Sequence, residues 1–560
     1  MFWGFVFAAL WRRVRGAPGP APAFSVLVRG GAVYDGSGGP PMVADVGIVG
    51  DRIAAIGDLG LMHGRTEIDA RGLAVAPGFI NNLSWATESI IEDPVAESDL
   101  RQGVTLEVFG EGLSMGPLNA EMRGEFRQRR GESRYPLDWH SLGEYLEFLE
   151  KRGVVPNVAS LVGATTIRIH ELGHANRAPT ARELVRMQDL VRAAMREGAL
   201  GVGSSLIYAP AVFADHEELR ALALAAAESG GGYYSHLRSE SRHLLAAVEE
   251  IIDIARATRT HAEIWHFKAA GSAHWPLLDE AIARIEAARA EGLDIGANIY
   301  PYLAGASGFD AAMPPWVQEG GHAHWLERLR DPHLRSRVIN EIENISPDWE
   351  SLYAAAGSPE NVRLLGFRSA ALQRYCGRTL AEVAASRHRT PAETIVDLVL
   401  EDDSRVRAAF FMMSEENLRR LIALPWVTLC SDEEALAPRG AFLQHAPHPR
   451  AYGSFARFLG HYVRDEGLLD LGEAIRRLTS LPAANLRLVD RGILRAGAFA
   501  DVVVFDPAQV RDLATYAQPH QFAVGMRHVL INGQLAFRDG SPTGARPGRF
   551  VRGPGYHAPA

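Results

Sequence analysis

Short apolar runs alternate with amphipathic stretches along most of this chain. The clearest unit is residues 231–271. There Tyr233-Tyr234-Ser235-His236-Leu237-Arg238 and Ile264-Trp265-His266-Phe267-Lys268 are apolar runs, each with an imidazole toward its C-terminal end. Between them Leu244, Val248, Ile251, Ile252 and Ile254 recur near helical spacing and predict an amphipathic helix over 239–259. Strand, helix, strand is a parallel crossover. Further strands are predicted at 104–108, 157–162, 201–204, 294–299, 409–413 and 427–430, and helices at 181–197, 216–228, 277–291 and 471–478. Such alternation over about 400 residues predicts an α/β fold, a (β/α)8 TIM-type barrel with insertions, spanning 77–485.

The two ends read differently. Residues 25–29 and 46–49 are short apolar runs split by Gly-Gly and Gly-Asp turns, and 500–505 and 527–531 repeat that texture after the helices stop. A β-rich head, 24–75, and a β-rich tail, 487–537, are expected to pair into one small β-sandwich domain. Residues 538–560, rich in Gly, Pro and Arg, are expected to wrap the surface as a C-terminal tail.

At 560 residues the chain is too long for one ordinary core, which agrees with a large domain plus a small one. A net charge of -9 gives no nucleic-acid footprint. Cys376 and Cys430 stand far apart and outside any metal-type spacing, so a disulfide framework is excluded and a reducing, cytoplasmic setting is expected. Residues 1–11 are apolar and followed by Arg12, Arg13 and Arg15. The charges lie on the wrong side for a secretory signal, and eleven residues are too few to span a bilayer. Residues 1–23 read as a disordered N-terminal extension, with a weak interfacial anchor or a misassigned upstream start codon as alternatives; no firm membrane association is expected.

His236 and His266 end neighbouring predicted strands. In a βα barrel such positions share one face, where two neutral imidazoles reach a single metal ion. Taken singly, each is better explained as a core or surface histidine. Their matched placement favours the metal.

Gly72-Leu73-Ala74-Val75-Ala76-Pro77-Gly78-Phe79-Ile80 and residues 492–505 resemble the entry and exit of the barrel in the amidohydrolase superfamily. Within it the chain is most similar to the N-acyl-D-amino-acid deacylase (D-aminoacylase) family. The motifs are Leu161-Val162-Gly163, residues 203–208, Ser235-His236-Leu237-Arg238-Ser239-Glu240, His266-Phe267-Lys268, Tyr300-Pro301-Tyr302, Met413-Ser414-Glu415 and His448-Pro449-Arg450. The resemblance covers roughly 25–540.

Two departures stand out. The family enters strand one with Asp-x-His-x-His, whereas this chain has Ile80-Asn81-Asn82-Leu83-Ser84-Trp85; Leu83 and Trp85 replace two metal ligands and offer none. Ala164 replaces a further family His. After the next strand the family has Gly-Asn-Cys-Gly, its Cys a metal ligand, where this chain has Val108-Phe109-Gly110-Glu111-Gly112. If 106–111 is extended, 107, 109 and 111 share a face. Glu111, at the strand's C-terminal end, is the better substitute, because carboxylate oxygen ligates zinc. Glu107 lies a layer deeper and also reads as a paired buried carboxylate.

The resemblance then implies one zinc, or another single divalent metal, on Glu111, His236 and His266. It also implies Asp432 as general acid and base, and Lys268, Tyr300 and Arg450 as the substrate-binding clamp on a carboxylate. Asp432 also reads, as the lesser alternative, as a helix N-cap before Glu433-Glu434. The segment 439–449, carrying His445 and His448, reads as a lid. The expected activity is hydrolysis of a small, carboxylate-bearing N-acyl-D-amino acid. The alternatives are another hydrolase of the superfamily, acting on a dipeptide, cyclic amide or lactone, and a non-catalytic barrel that has lost its metal. Oligomeric state is left open.

Overall fold

The structure, a computed structural model, describes residues 24–130, 135, 137–346 and 348–557. The extension expected at 1–23 lies outside the described residues.

Two parallel sheets carry the functional residues. One has the order Val427–Leu429, Ile295–Ile299, Ala262–Ile264, Gly232–His236, Gly201–Ser205, Val162–Gly163. The other has Phe79–Asn81, Val104–Phe109 and Asn157–Ser160. They meet at both edges. On one side Asn157–Ser160 runs into Val162–Gly163 across Leu161, whose N–H bonds the Phe109 carbonyl, while the Leu200 N–H bonds the Ser160 carbonyl. On the other side the Ser431 N–H donates to Asn81 Oδ1 at 2.9 Å, Asn82 Nδ2 donates to Thr428 Oγ1 at 2.9 Å, and the Asp432 N–H donates to the Leu83 carbonyl at 3.0 Å. Contacts therefore run from each strand to the next and back to the first.

The helices lie where the apolar spacing predicts them. Ala181–Glu197 begins at a reciprocal cap between Thr180 and Glu183, and Leu471–Leu478 also matches its expected bounds. Leu244–Thr258 starts five residues later than the spacing predicts. Ser239, the Glu240 N–H and Ser241 all donate to the Glu350 carboxylate, at 2.7, 3.0 and 3.0 Å, which holds that stretch as a loop. The run expected as a strand at 409–413 is a correction of another kind. Arg407–Phe411 is a strand, but it pairs antiparallel with Ala304–Gly308 and Val362–Gly366 in a separate sheet. A short apolar run has the same appearance in either setting, and only its partners distinguish them.

Head and tail strands join one nine-stranded sheet, because Ala74–Pro77 pairs antiparallel with Val502–Phe505. Alternation divides its faces. Val75, Val502, Val504 and Leu530 pack with Val28, Val46, Ile48 and Ile68 in a small core, whereas Ala76, Val503, Phe505, Val529 and Ile531 face the main core. The tail beyond the sheet also has a fixed course: Val158 exchanges backbone bonds with Arg549 and Val551, and Phe550 is buried. Among the described residues no helix is long and apolar enough to cross a membrane.

At the N-terminal ends of Ala262–Ile264 and Ile295–Ile299 lies a polar network around the buried His261, with half-exposed Asp294 at its edge. His261 faces Glu263 Oε2 with Nε2, at 2.7 Å, and Asp294 Oδ1 with Nδ1, at 3.0 Å. Burial pushes the imidazole toward neutrality, but these two carboxylates overcome it and hold its pKa up to about 9. A folded-state pKa above the unfolded 6.5 contributes stability that is full below about pH 6.5 and lost as pH rises through 9. The shift corresponds to at most about 3 kcal/mol. His261→Gln is expected to unfold at lower urea than the parent at pH 6, with the gap closing by pH 9.5; a gap independent of pH removes the imidazolium from this account.

Candidate metal centre

Most of the functional side chains stand at or just past the C-terminal end of a parallel strand; Arg450 instead opens the helix Arg450–Arg457. His236 is the last residue of Gly232–His236, Tyr300 follows Ile295–Ile299 directly, and His266 lies two residues past Ala262–Ile264. Glu111 lies two residues past Val104–Phe109 and Asp432 three past Val427–Leu429. Gly110, at φ +112°, takes a backbone conformation that L side chains rarely adopt and turns Glu111 inward. His266 and Asp432 are themselves left-handed, at φ 37° and 50°, a strain that here coincides with the convergence of functional groups.

Glu111 Oε1 lies 3.1 Å from His236 Nδ1 and 3.1 Å from His266 Nε2. All three residues are at most 4% exposed, and their candidate ligand atoms lie within 4.8 Å of one another. Glu107 does not join them. It is fully buried, accepts from Asn81 Nδ2 at 3.0 Å, and burial raises its pKa beside Asp99. Of the two acids left open by the sequence, only Glu111 reaches the imidazoles.

The donor set fits a divalent ion. Two imidazoles and one carboxylate are borderline-hard donors of the kind zinc takes, and three protein ligands leave a position open. His236 Nε2 is buried with no hydrogen-bond partner. The far side of the pair carries the support expected behind ligating histidines: Glu240 Oε1 is 3.0 Å from His266 Nδ1 and 3.8 Å from His236 Nε2. Burial disfavours a charged Glu111, but its bonds to His236 and His266 reverse that and hold its pKa far below the carboxylate range. Burial and Lys268 push His266 down, whereas Glu240, Asp432 and Glu111 pull it up to about 9. The three acids thus create a demand for positive charge between them.

Asp432 sits beside this cluster. No helix begins at Glu433, so it caps none. Its Oδ2 accepts from Arg450 Nη1 at 2.7 Å. Burial raises its pKa, Arg450 opposes that, and Glu111 adds to it, leaving it above the ordinary carboxylate range. The Arg450 guanidinium lies 4.5 Å over the Tyr300 ring, and its buried Nε makes no hydrogen bond but stands 3.6 Å from Glu433 Oε2. Lys268 Nζ bonds Glu240 Oε1 and lies 2.8 Å from His266 Nδ1; it stands 5.9 Å from the Tyr300 ring centre. Of the lid segment, His448 is fully buried, with Nδ1 accepting from the Arg450 N–H and Nε2 2.8 Å from Tyr516 Oη, whereas His445 is exposed.

Two participants carried no assigned role in the sequence. Glu240 lies within the quoted motif, four residues after His236, and that spacing was its signal. Trp85 gave none. Its indole Nε1 donates to Glu111 Oε2 at 2.9 Å and to Asp432 Oδ1 at 3.2 Å, partners distant in the chain.

Residues 117–537 match the amidohydrolase family. A D-aminoacylase of Alcaligenes xylosoxydans xylosoxydans is 33% identical, over 94% of this chain and 97% of its own length. The crystal structure of N-acyl-D-glutamate deacylase from Bordetella bronchiseptica, complexed with zinc and a phosphonate mimic of the tetrahedral intermediate, superposes with a TM-score of 0.78 at 30% identity, covering 95% of this chain and all of its own. A D-aminoacylase structure concerned with a binuclear centre, activated by one metal and attenuated by a second, gives 0.77 at 31% identity, over 94% of this chain and all of its own. The chain therefore belongs to the amidohydrolase family, in its D-aminoacylase branch.

Proposed function

We propose that this chain is a metal-dependent hydrolase that cleaves the linear amide bond of an N-acyl-D-amino acid to a carboxylate and a D-amino acid. The observation that carries the reading is the buried cluster of Glu111, His236 and His266 with the Asp432–Arg450 pair beside it. The chemistry a divalent ion supplies when held by those three residues is Lewis-acid polarisation of the amide carbonyl and a lowered pKa for water. Asp432 takes the proton from the attacking water and returns it to the leaving nitrogen, a task suited to a carboxylate with a raised pKa. Arg450 Nε, with Lys268 and Tyr300, binds the substrate carboxylate and sets the amide against Asp432. His448, bonded to Tyr516, holds the Arg450 backbone N–H on its Nδ1 and so helps fix the clamp in place.

The architecture that goes with this function is a (β/α)8 barrel over 77–485 and a small β-sandwich built from 24–75 and 487–537, with 538–560 as a tail. The bonds that close the eight parallel strands into a cycle and the shared nine-stranded sheet support that division. Free Cys376 and Cys430 support a reducing, cytoplasmic setting.

The metal count is one, and zinc is the preferred ion. Leu83 and Trp85 provide no ligand for a second. Elemental analysis is expected to find one divalent metal per chain; His236→Ala and His266→Ala each lose metal and activity together, and Glu111→Ala weakens both. Two tightly bound ions per chain contradict the count, and a metal-free protein that still hydrolyses its substrate ends the mechanism. Asp432→Asn is expected to keep its metal while losing roughly 100- to 10,000-fold in kcat, the usual worth of a positioned acid–base group. Arg450→Met is expected to raise KM steeply for carboxylate-bearing amides with metal content unchanged. Equal losses on neutral amides remove Arg450 from the clamp.

A further inference from the structure

The strand-one exit holds an indole where two carboxylates converge. Glu111 has committed Oε1 to the two imidazoles and Asp432 has committed Oδ2 to Arg450. Their remaining oxygens, Oε2 and Oδ1, both accept from Trp85 Nε1. Two acceptor oxygens aimed at one point in a dry site repel each other unless a positive or donor group stands between them. An indole N–H is a donor with no acceptor capacity, and it neither ionises nor ligates a cation. A cation at that point would have to occupy the position of the indole nitrogen.

The backbone keeps the ring in register. The Leu83 carbonyl accepts from the Asp432 N–H, and the Trp85 N–H donates to the Glu433 carbonyl, both at 3.0 Å. The strand-one exit and the Asp432 loop are thus joined on either side of the indole, and Leu83, 1% exposed, closes the wall next to it. Simple space filling explains the ring but not this nitrogen, which points at both acids rather than at solvent or a backbone carbonyl.

We propose that Trp85 is a positioning residue that takes the place of a second cation: its N–H ties the metal ligand Glu111 to the acid–base residue Asp432 and turns Asp432 Oδ1 to face the reacting water. The inference rests on the hydrolase reading above for its kinetic consequence, but not for its metal consequence. It also gives the substitution at this position a purpose. The gap is filled by a neutral donor, so an excess of divalent metal finds no second position in which to attenuate turnover.

The test separates nitrogen from ring. Replacement of Trp85 by β-(3-benzothienyl)alanine keeps the bicycle and exchanges N–H for sulfur; Trp85→Phe is the simpler companion. Both are expected to retain one metal per chain and to keep KM within about twofold, while kcat falls roughly 10- to 100-fold, the usual cost of losing a group that orients the reacting shell. Wild-type kcat in the benzothienyl variant overturns the positioning role, and so does loss of the metal, which would mark Trp85 as a support of the metal ligand alone. The second arm needs no substrate. Trp85→His opens the gap and puts an imidazole beside the two freed carboxylate oxygens; titrated with Zn²⁺ beside the wild type, it is expected to bind one more ion per chain, and equal stoichiometry overturns the stand-in for a cation. Should the wild type hydrolyse no N-acyl-D-amino acid, the function fails, and the two metal counts still decide the role of Trp85.

Discussion

One carboxylate oxygen shared by two imidazoles sets the terms for the rest of the site. Glu111 Oε1 is held by His236 and His266 in a space that admits almost no water. Buried charge is tolerated only where it is paired, and the pairs here form a closed set: Glu240 with Lys268, Asp432 with Arg450, Glu111 with the imidazoles. Removing any one member leaves its partner exposed to the full cost of desolvation. The site is therefore rigid for the same reason that it is chemically useful. The charges that a reaction would exploit are those that lock one another in place.

Much of the fold was legible because its signals are local. Apolar runs followed by helical periodicity placed the parallel strands and Ala181–Glu197 closely, since alternation and capping act over a few residues. The antiparallel role of Arg407–Phe411 was not legible, because a strand's partner is a property of the tertiary structure. The late start of Leu244–Thr258 depended on Glu350, a residue more than a hundred positions away that no period could reveal.

The site divides along the same line. His236 and His266 were readable as a pair because matched strand ends point to a shared face. Glu111 was preferred to Glu107 on its place in the strand; the strand stops at Phe109, and the turn at Gly110, not strict alternation, brings Glu111 beside the imidazoles. Trp85 was read only for what it lacks. A tryptophan's single N–H acquires meaning from the acceptors it meets, and those follow two other strands. Arg450 shows the converse: its type and motif pointed to a carboxylate, and in this structure the carboxylate it meets is that of Asp432.

The pairing of Ala74–Pro77 with Val502–Phe505 has a consequence for biosynthesis. The head strands leave the ribosome first, and the partner for their edge follows only after roughly 400 further residues, on the order of tens of seconds at ordinary translation rates. Throughout that interval the edge of Ala74–Pro77, wholly buried in the finished protein, offers unpaired N–H and C=O groups and apolar side chains to any passing strand. Until residues 502–505 are made, the nascent chain carries this edge unpaired. Conditions that slow elongation late in the message threaten its yield more than its finished stability.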